Sequence, residues 1–83
     1  MSEGIFETIR VEDGQIFGLH RHHCRAKDAA ATLGFEIPDE DQVKAATDLI
    51  ISKENYSLAR LRLKFNRNGE LGIDYEPYED PKK

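Results

Sequence analysis

An alternating pattern of residues runs from Ser57 to Phe65, and from Ala59 onward it alternates strictly between apolar and basic side chains. One set of alternate positions holds Leu61, Leu63 and Phe65, and the other holds Arg60, Arg62 and Lys64. Successive side chains of a β-strand point to opposite faces of a sheet, so a period of two indicates a strand with one buried face. An α-helix would mix these two sets around its circumference. The segment therefore predicts a half-buried strand and requires partner strands and a covering layer.

Strong turn signals predict those partner strands. Ile5 to Val11 is rich in β-branched and aromatic residues, and Asp13-Gly14 separates it from a second apolar run, Gln15 to Leu19. Asp-Gly is typical of two-residue hairpin turns because both residues tolerate positive φ angles. The turn residues 66–69 likewise precede a returning strand over Leu71 to Tyr75.

The middle of the chain predicts two helices. The first covers residues 20–33 and ends at Gly34, with Phe35 packing back. Its helical spacing joins Leu19, His22, Ala26, Ala29, Ala30 and Leu33. The second is capped by Asp39 and Gln42 in a reciprocal capping box and runs to about Asn55. Its apolar face holds Val43, Ala46, Leu49 and Ile50.

This order predicts an α+β fold, ββααββ, with two helices on one face of an antiparallel sheet. At 83 residues the chain has room for one small domain. The helix-facing positions are the odd ones, Ile5, Ile9, Val11, Leu61, Leu63 and Phe65. The even positions gather Phe6, Thr8, Arg10, Arg60, Arg62 and Lys64, which form either a solvated face or a floor for an anion.

Glu7 interrupts the apolar set on the helix-facing side. A buried carboxylate is costly unless a cation or hydrogen-bond donor pairs with it. His22 or Arg25 could supply the partner, or Glu7 could lie at an open margin of the sheet. The sequence leaves these alternatives open.

Charge and composition narrow the function classes. The net charge of −4 and the pI of about 5.3 argue against a general nucleic-acid binder. No apolar stretch approaches the length of a membrane span. The first residues, Met-Ser-Glu-Gly, lack the basic and then apolar order of a signal peptide. Cys24 as the one cysteine excludes an intramolecular disulfide, so we expect a cytoplasmic protein without membrane or nucleic-acid partners.

The histidine-rich segment from His20 to Arg25 invites a metal hypothesis. His20 and Cys24 lie four residues apart on the predicted helix and could meet one ion. Structural zinc sites use four protein ligands, and the sequence offers no second cluster. We therefore predict no metal site, and we expect His20 and His23 to be exposed.

A family resemblance joins several of these segments. The motif residues are Gly4, Phe6-Glu7-Thr8 and Arg10, then Phe17, Leu19, His22 and Arg25, then Leu33-Gly34. The string resembles the small N-terminal domain of fold-type IV pyridoxal-phosphate enzymes, which include branched-chain and D-amino-acid aminotransferases and aminodeoxychorismate lyase. The form of the first motif is most similar to the lyases.

The resemblance implies roles for individual residues. Arg25 matches the arginine that contacts the phosphate of pyridoxal phosphate, and a guanidinium suits that task because it stays charged and forked. Phe6 matches the aromatic residue that lines the substrate side of the pocket, and Arg62 lies on the strand from which family members place side chains toward the substrate. His22 and Glu7 are expected in supporting roles.

The same resemblance implies a larger parent. Residues 1–76 would be the small domain and residues 77–83 the start of an interdomain linker. The catalytic lysine would lie in a large C-terminal domain, so this chain alone is expected to be inactive. We expect a homodimeric parent acting on a small molecule, as a lyase or, alternatively, as an aminotransferase. A standalone anion-binding or interaction module is the alternative from another class.

Overall fold

The computed structural model describes residues 4–54 and 56–78. Its elements, in chain order, are β1 (Gly4–Glu12), β2 (Gln15–Ile16), α1 (Leu19–Leu33), α2 (Glu40–Lys53), β3 (Leu58–Asn66) and β4 (Leu71–Pro77). This order confirms the predicted ββααββ arrangement of an α+β domain. Of the predicted linker, residues 77–83, Pro77 is the last residue of β4 and residues 79–83 lie outside the described part of the chain.

The four strands form one antiparallel sheet in the order β2-β1-β3-β4. β1 and β3 pair along their whole length, from Gly4 opposite Asn66 to Glu12 opposite Leu58. β2 is shorter than the predicted Gln15 to Leu19, because the chain turns at Gly18 (φ 71°) and α1 begins at the next residue. The long β1–β3 pair thus forms the centre of the sheet.

The predicted register of the sheet is confirmed. The odd positions Ile9, Val11, Leu61, Leu63 and Phe65 are all buried beneath the helices, and Ile5 is partly buried against the same core. Side chains alternate across a strand, so the even positions of β1 and β3 point to the uncovered face. A slip of one residue would expose this core, which is why the apolar alternation fixes the pairing.

Local capping sequences form as predicted. Gly34 adopts φ 87° after α1, and Phe35 donates its backbone N–H to the carbonyl of Ala30 over 2.9 Å. Asp39 accepts a hydrogen bond from the Gln42 backbone, and the Gln42 side chain accepts one from the Asp39 backbone. These contacts satisfy helix-end groups that would otherwise lack partners.

The orientation of both helices differs from the sequence-based expectation. His23, expected to be exposed, is buried, whereas Leu33, expected in the core, is 51% exposed. α1 presents the stripe Leu19, His23, Ala26 and Ala30 to the sheet. On α2, Leu49 is 66% exposed and Thr47 is buried in its place, and this helix ends at Lys53 rather than Asn55.

Candidate functional site

Glu7 lies in the middle of β1 and faces α1, where it meets two residues of that helix. His22 Nδ1 lies 2.5 Å from Glu7 Oε1, and Arg25 Nη2 lies 3.3 Å from the same oxygen. Only 9% of the Glu7 side chain is exposed. The structure therefore brings together the two partners that the sequence left as alternatives, and we call these three residues the Glu7 cluster.

The chemistry of the donors and acceptors determines which hydrogen bonds form in the Glu7 cluster. A carboxylate oxygen only accepts, so His22 Nδ1 must carry the proton that it shares with Glu7. Arg25 Nη2 also lies 3.3 Å from His22 Nδ1. Two N–H groups cannot bond to each other, so Arg25 is held by Glu7 and not by the imidazole.

Arg25 differs from Glu7 in its exposure to solvent. Its side chain is 63% exposed, although one nitrogen is tied to the buried carboxylate. Across residues 4–54 and 56–78, its Nη1 and Nε groups have no hydrogen-bond partner. An anchored guanidinium with spare donors is suited to bind an oxyanion, because each remaining N–H can reach a separate oxygen.

Basic side chains gather on the uncovered face, as predicted. Phe6 lies opposite Lys64, Thr8 opposite Arg62, and Arg10 opposite Arg60. The Lys64 ammonium stands 5.3 Å from the centroid of the Phe6 ring, and Phe6 is 57% exposed. Phe6 and Lys64 thus form a cation–π pair on the open side of the sheet.

Acidic residues on the same face offset much of this positive charge. Arg10 Nε lies 2.6 Å from the Glu12 carboxylate, and Arg60 donates to Glu76 over 2.8 Å. Asp74 of β4 lies opposite Arg62 in the register. The hypothesis of a cationic floor from β1 and β3 therefore needs correction, since β4 supplies carboxylates that the strand pattern alone did not place there.

A shallow groove of about 360 Å³ lies between β1 and β3 on this uncovered side. Its lining includes Thr8, Arg10, Arg60 and Tyr78. The Arg60 guanidinium carbon stands 5.5 Å from the Tyr78 ring centroid. Phe6 and Arg62, which the resemblance assigns to a substrate pocket, lie on the same face but do not line this groove.

The margin of β1 separates the Glu7 cluster from Phe6. β2 pairs with β1 only at Val11 and Glu12, so no described strand covers the same side of β1 from Gly4 to Ile9. Phe17 donates its backbone N–H to the Arg10 carbonyl, which shows that even-numbered main-chain groups of β1 point to this margin. A ligand that touches both Arg25 and Phe6 would cross this uncovered margin.

His20 and Cys24, the pair considered in the metal hypothesis, form a surface contact. Cys24 Sγ lies 3.5 Å from His20 Nε2, and His20 Nδ1 lies 2.6 Å from the Glu40 carboxylate. The described residues contain no group of three or more His, Cys, Asp or Glu side chains placed to share an ion. His20 is exposed as predicted, with 77% of its side chain accessible.

Sequence reasoning missed His23 as a structural residue. Its Nε2 donates to the Pro38 carbonyl over 2.7 Å, and its ring meets Phe65 edge-on. The helical spacing of Leu19, His23, Ala26 and Ala30 is a signal that could have identified it. The competing stripe through His22 has the same period, so spacing alone did not separate the two.

The sequence of the chain is similar to those of known proteins. The sequence model of the family described as "Amino-transferase class IV" matches residues 4–82. A Methanocaldococcus jannaschii protein named "Putative branched-chain-amino-acid aminotransferase" is 35% identical over 75 residues, which cover 87% of this chain. The match covers only 26% of the length of that relative.

A solved structure has the same fold. It is the crystal structure titled "Putative amino-acid aminotransferase" from Mesorhizobium loti, with a TM-score of 0.77 and 28% sequence identity. The match covers 92% of this chain and 36% of that one. In the part of the present chain that the structure describes, neither helix is long and apolar enough to cross a membrane.

Proposed function

Because this chain belongs to the aminotransferase class IV family, we propose that it is the small domain of a pyridoxal-phosphate-dependent amino-acid aminotransferase. In this proposal Arg25 binds the cofactor phosphate, and Phe6 and Arg62 line the substrate side. A larger catalytic domain completes the site and supplies the catalytic lysine. The shares of 26% and 36% in the two relatives are consistent with such a domain.

One observation carries the cofactor proposal. Arg25 is exposed and has spare donors, and the buried carboxylate of Glu7 anchors it. Phosphate oxygens would accept hydrogen bonds from the spare N–H groups of Arg25, which otherwise bond to water. The residues present thus fit a phosphate group, and pyridoxal phosphate when bound supplies the electron sink that stabilises negative charge on the substrate carbon.

The uncovered sheet face supports a substrate role for Phe6. Its ring is 57% exposed, and the Lys64 ammonium holds it from one side. Ligand pockets are lined mainly by apolar and aromatic side chains, with a few polar groups that orient the ligand. In the proposed enzyme, Phe6 excludes water from one wall of the pocket, while Arg62 offers a cation to a substrate carboxylate.

The names of the two similar proteins favour an aminotransferase over a lyase. The second candidate, aminodeoxychorismate lyase, rests on the motif Gly4 to Thr8, whose Phe-Glu-Thr form is most similar to lyase members. A standalone anion-binding module is the third candidate. The gene sequence separates this one from the others, since an enzyme requires continuation into a lysine-bearing domain.

The discriminating experiment assays the whole gene product that contains this chain. We expect it to transfer the amino group of a branched-chain or D-amino acid to 2-oxoglutarate, measured as glutamate formed. The matched assay supplies aminodeoxychorismate and measures 4-aminobenzoate and pyruvate. Activity in the second assay alone would establish the lyase, and activity in neither assay with no cofactor binding would refute the enzyme proposal. The proposed parent is a homodimer, which sedimentation of the same sample tests.

A further inference from the structure

The Glu7 cluster has an internal order that follows from its geometry. Glu7 is fixed to the central strand β1, and both of its partners extend from α1. The shorter contact, 2.5 Å to His22 Nδ1, is made by a side chain that is 20% exposed. The longer contact, 3.3 Å, is made by the far more exposed Arg25. His22 therefore fixes the carboxylate, and the carboxylate in turn holds the guanidinium.

An exposed arginine loses much conformational freedom when it binds a ligand. A fixed acceptor at one nitrogen reduces that loss before the ligand arrives, because the planar guanidinium is already oriented. We propose that Glu7 is a positioning residue that orients Arg25 toward a phosphate group. This inference rests on the proposed function, in which Arg25 contacts the cofactor phosphate.

The negative charge of Glu7 has the opposite electrostatic effect. A carboxylate beside the binding arginine repels an incoming phosphate, and this repulsion is weakened by solvent at an exposed site. Positioning requires the Glu7 carboxylate oxygen at its present distance from Arg25, whereas repulsion requires only the negative charge of Glu7. The two effects can therefore be separated by changing reach and charge independently.

Two substitutions make that separation. Glu7→Gln keeps an oxygen acceptor at the same reach and removes the charge. Glu7→Asp keeps the charge and withdraws the oxygen by about 1.5 Å, the length of one carbon–carbon bond. If positioning dominates, Glu7→Asp weakens phosphate binding about tenfold, while Glu7→Gln stays within about threefold of the parent.

The experiment measures binding and does not depend on turnover. The whole gene product, freed of cofactor, is titrated with pyridoxal phosphate and separately with inorganic phosphate, using calorimetry. The variants are Glu7→Gln, Glu7→Asp, Arg25→Ala and the double variant Glu7→Asp/Arg25→Ala. We expect the Glu7→Asp change to have no further effect when Arg25 is already absent, because Glu7 acts through Arg25.

Each alternative outcome is distinct. A Glu7→Asp loss that persists in the Arg25→Ala background would show a general structural role and overturn the inference. Tighter binding in Glu7→Gln with unchanged binding in Glu7→Asp would show that charge, not position, matters. If Arg25→Ala itself leaves both affinities unchanged, the proposed phosphate role of Arg25 fails, and the inference fails with it. Thermal unfolding of each variant verifies that every titrated sample is folded.

Discussion

The imidazole of His23 donates a 2.7 Å hydrogen bond from Nε2 to the carbonyl oxygen of Pro38. This bond joins α1 to the residue that precedes Asp39, the N-cap of α2. The same ring packs edge-on against Phe65 of β3, with 6.4 Å between the ring centroids. One side chain therefore connects both helices to the sheet.

Replacing His23 with Leu should destabilise the domain. The Pro38 carbonyl would lose its donor, which typically costs about 1 to 3 kcal/mol when the group is kept from water. Urea unfolding of the parent and the variant measures the change. The control is His20→Ala, since His20 is exposed and its surface pair with Glu40 should contribute below about 1 kcal/mol. Equal losses in the two variants would contradict the assigned role of His23.

Gly34 and Gly72 should respond in opposite ways to substitution by Ala. Gly34 has a φ of 87°, a left-handed conformation that would strain Ala by about 1 to 2 kcal/mol. A Cβ at Gly34 would meet nothing within 4 Å, so no new contact would offset this strain. A Cβ at Gly72 would make ordinary contact with the Lys64 Cβ at 3.6 Å. Gly72→Ala should be neutral or stabilise by up to about 1 kcal/mol. Thermal melting compares them, and destabilisation by Gly72→Ala alone would contradict the expected difference between the two glycines.

Stability should fall at high pH in part because of Tyr75. Burial raises the pKa of the Tyr75 hydroxyl, and Tyr56 and Glu54 raise it further. The folded state thus holds this proton more tightly than the unfolded state, so its contribution is complete below pH 10 and is lost as the pH rises through the folded pKa. Tyr75→Phe should weaken the alkaline loss in unfolding experiments between about pH 9 and 12.

The Tyr75 hydroxyl has no hydrogen-bond partner among the described residues. Tyr75→Phe should therefore cost little at neutral pH, because it removes a polar group that the fold does not satisfy. An unchanged pH profile in this variant would assign the alkaline loss to other groups.

Arg25→Ala should weaken cofactor retention in the whole gene product by about 1.5 to 3 kcal/mol, the range for a hydrogen bond to a charged group. Arg21→Ala is the matched control, because Arg21 is an exposed arginine on the same helix. Fluorescence or calorimetric titration with pyridoxal phosphate compares the two. A similar loss in both variants would indicate a general effect of charge and remove the specific role from Arg25.

Features that depend on neighbouring residues could be predicted from the order of amino acids alone. The alternation from Leu61 to Phe65 identified the buried face of β3, because each strand residue points away from the one before it. Asp13-Gly14 adopts positive φ angles of 49° and 81° in the predicted hairpin turn. Gly34 and the Asp39–Gln42 capping box ended and began helices at the expected places. Each of these features depends on residues that lie within a few positions of one another in the sequence.

Packing in the folded domain set two kinds of contact. One kind depends on how a helix is rotated about its axis, and the other depends on which strands lie side by side. His22 and His23 are adjacent, and a helix turns by about 100° per residue, so only packing against the sheet selected which of them is buried. The same packing made Glu7 the shared partner of His22 and Arg25. Glu76 reached Arg60 only because β4 returned beside β3. The sequence named His22 and Arg25 as candidate partners of Glu7 but could not select among these contacts, since the free energy that selects them comes from surfaces that meet only in the folded chain.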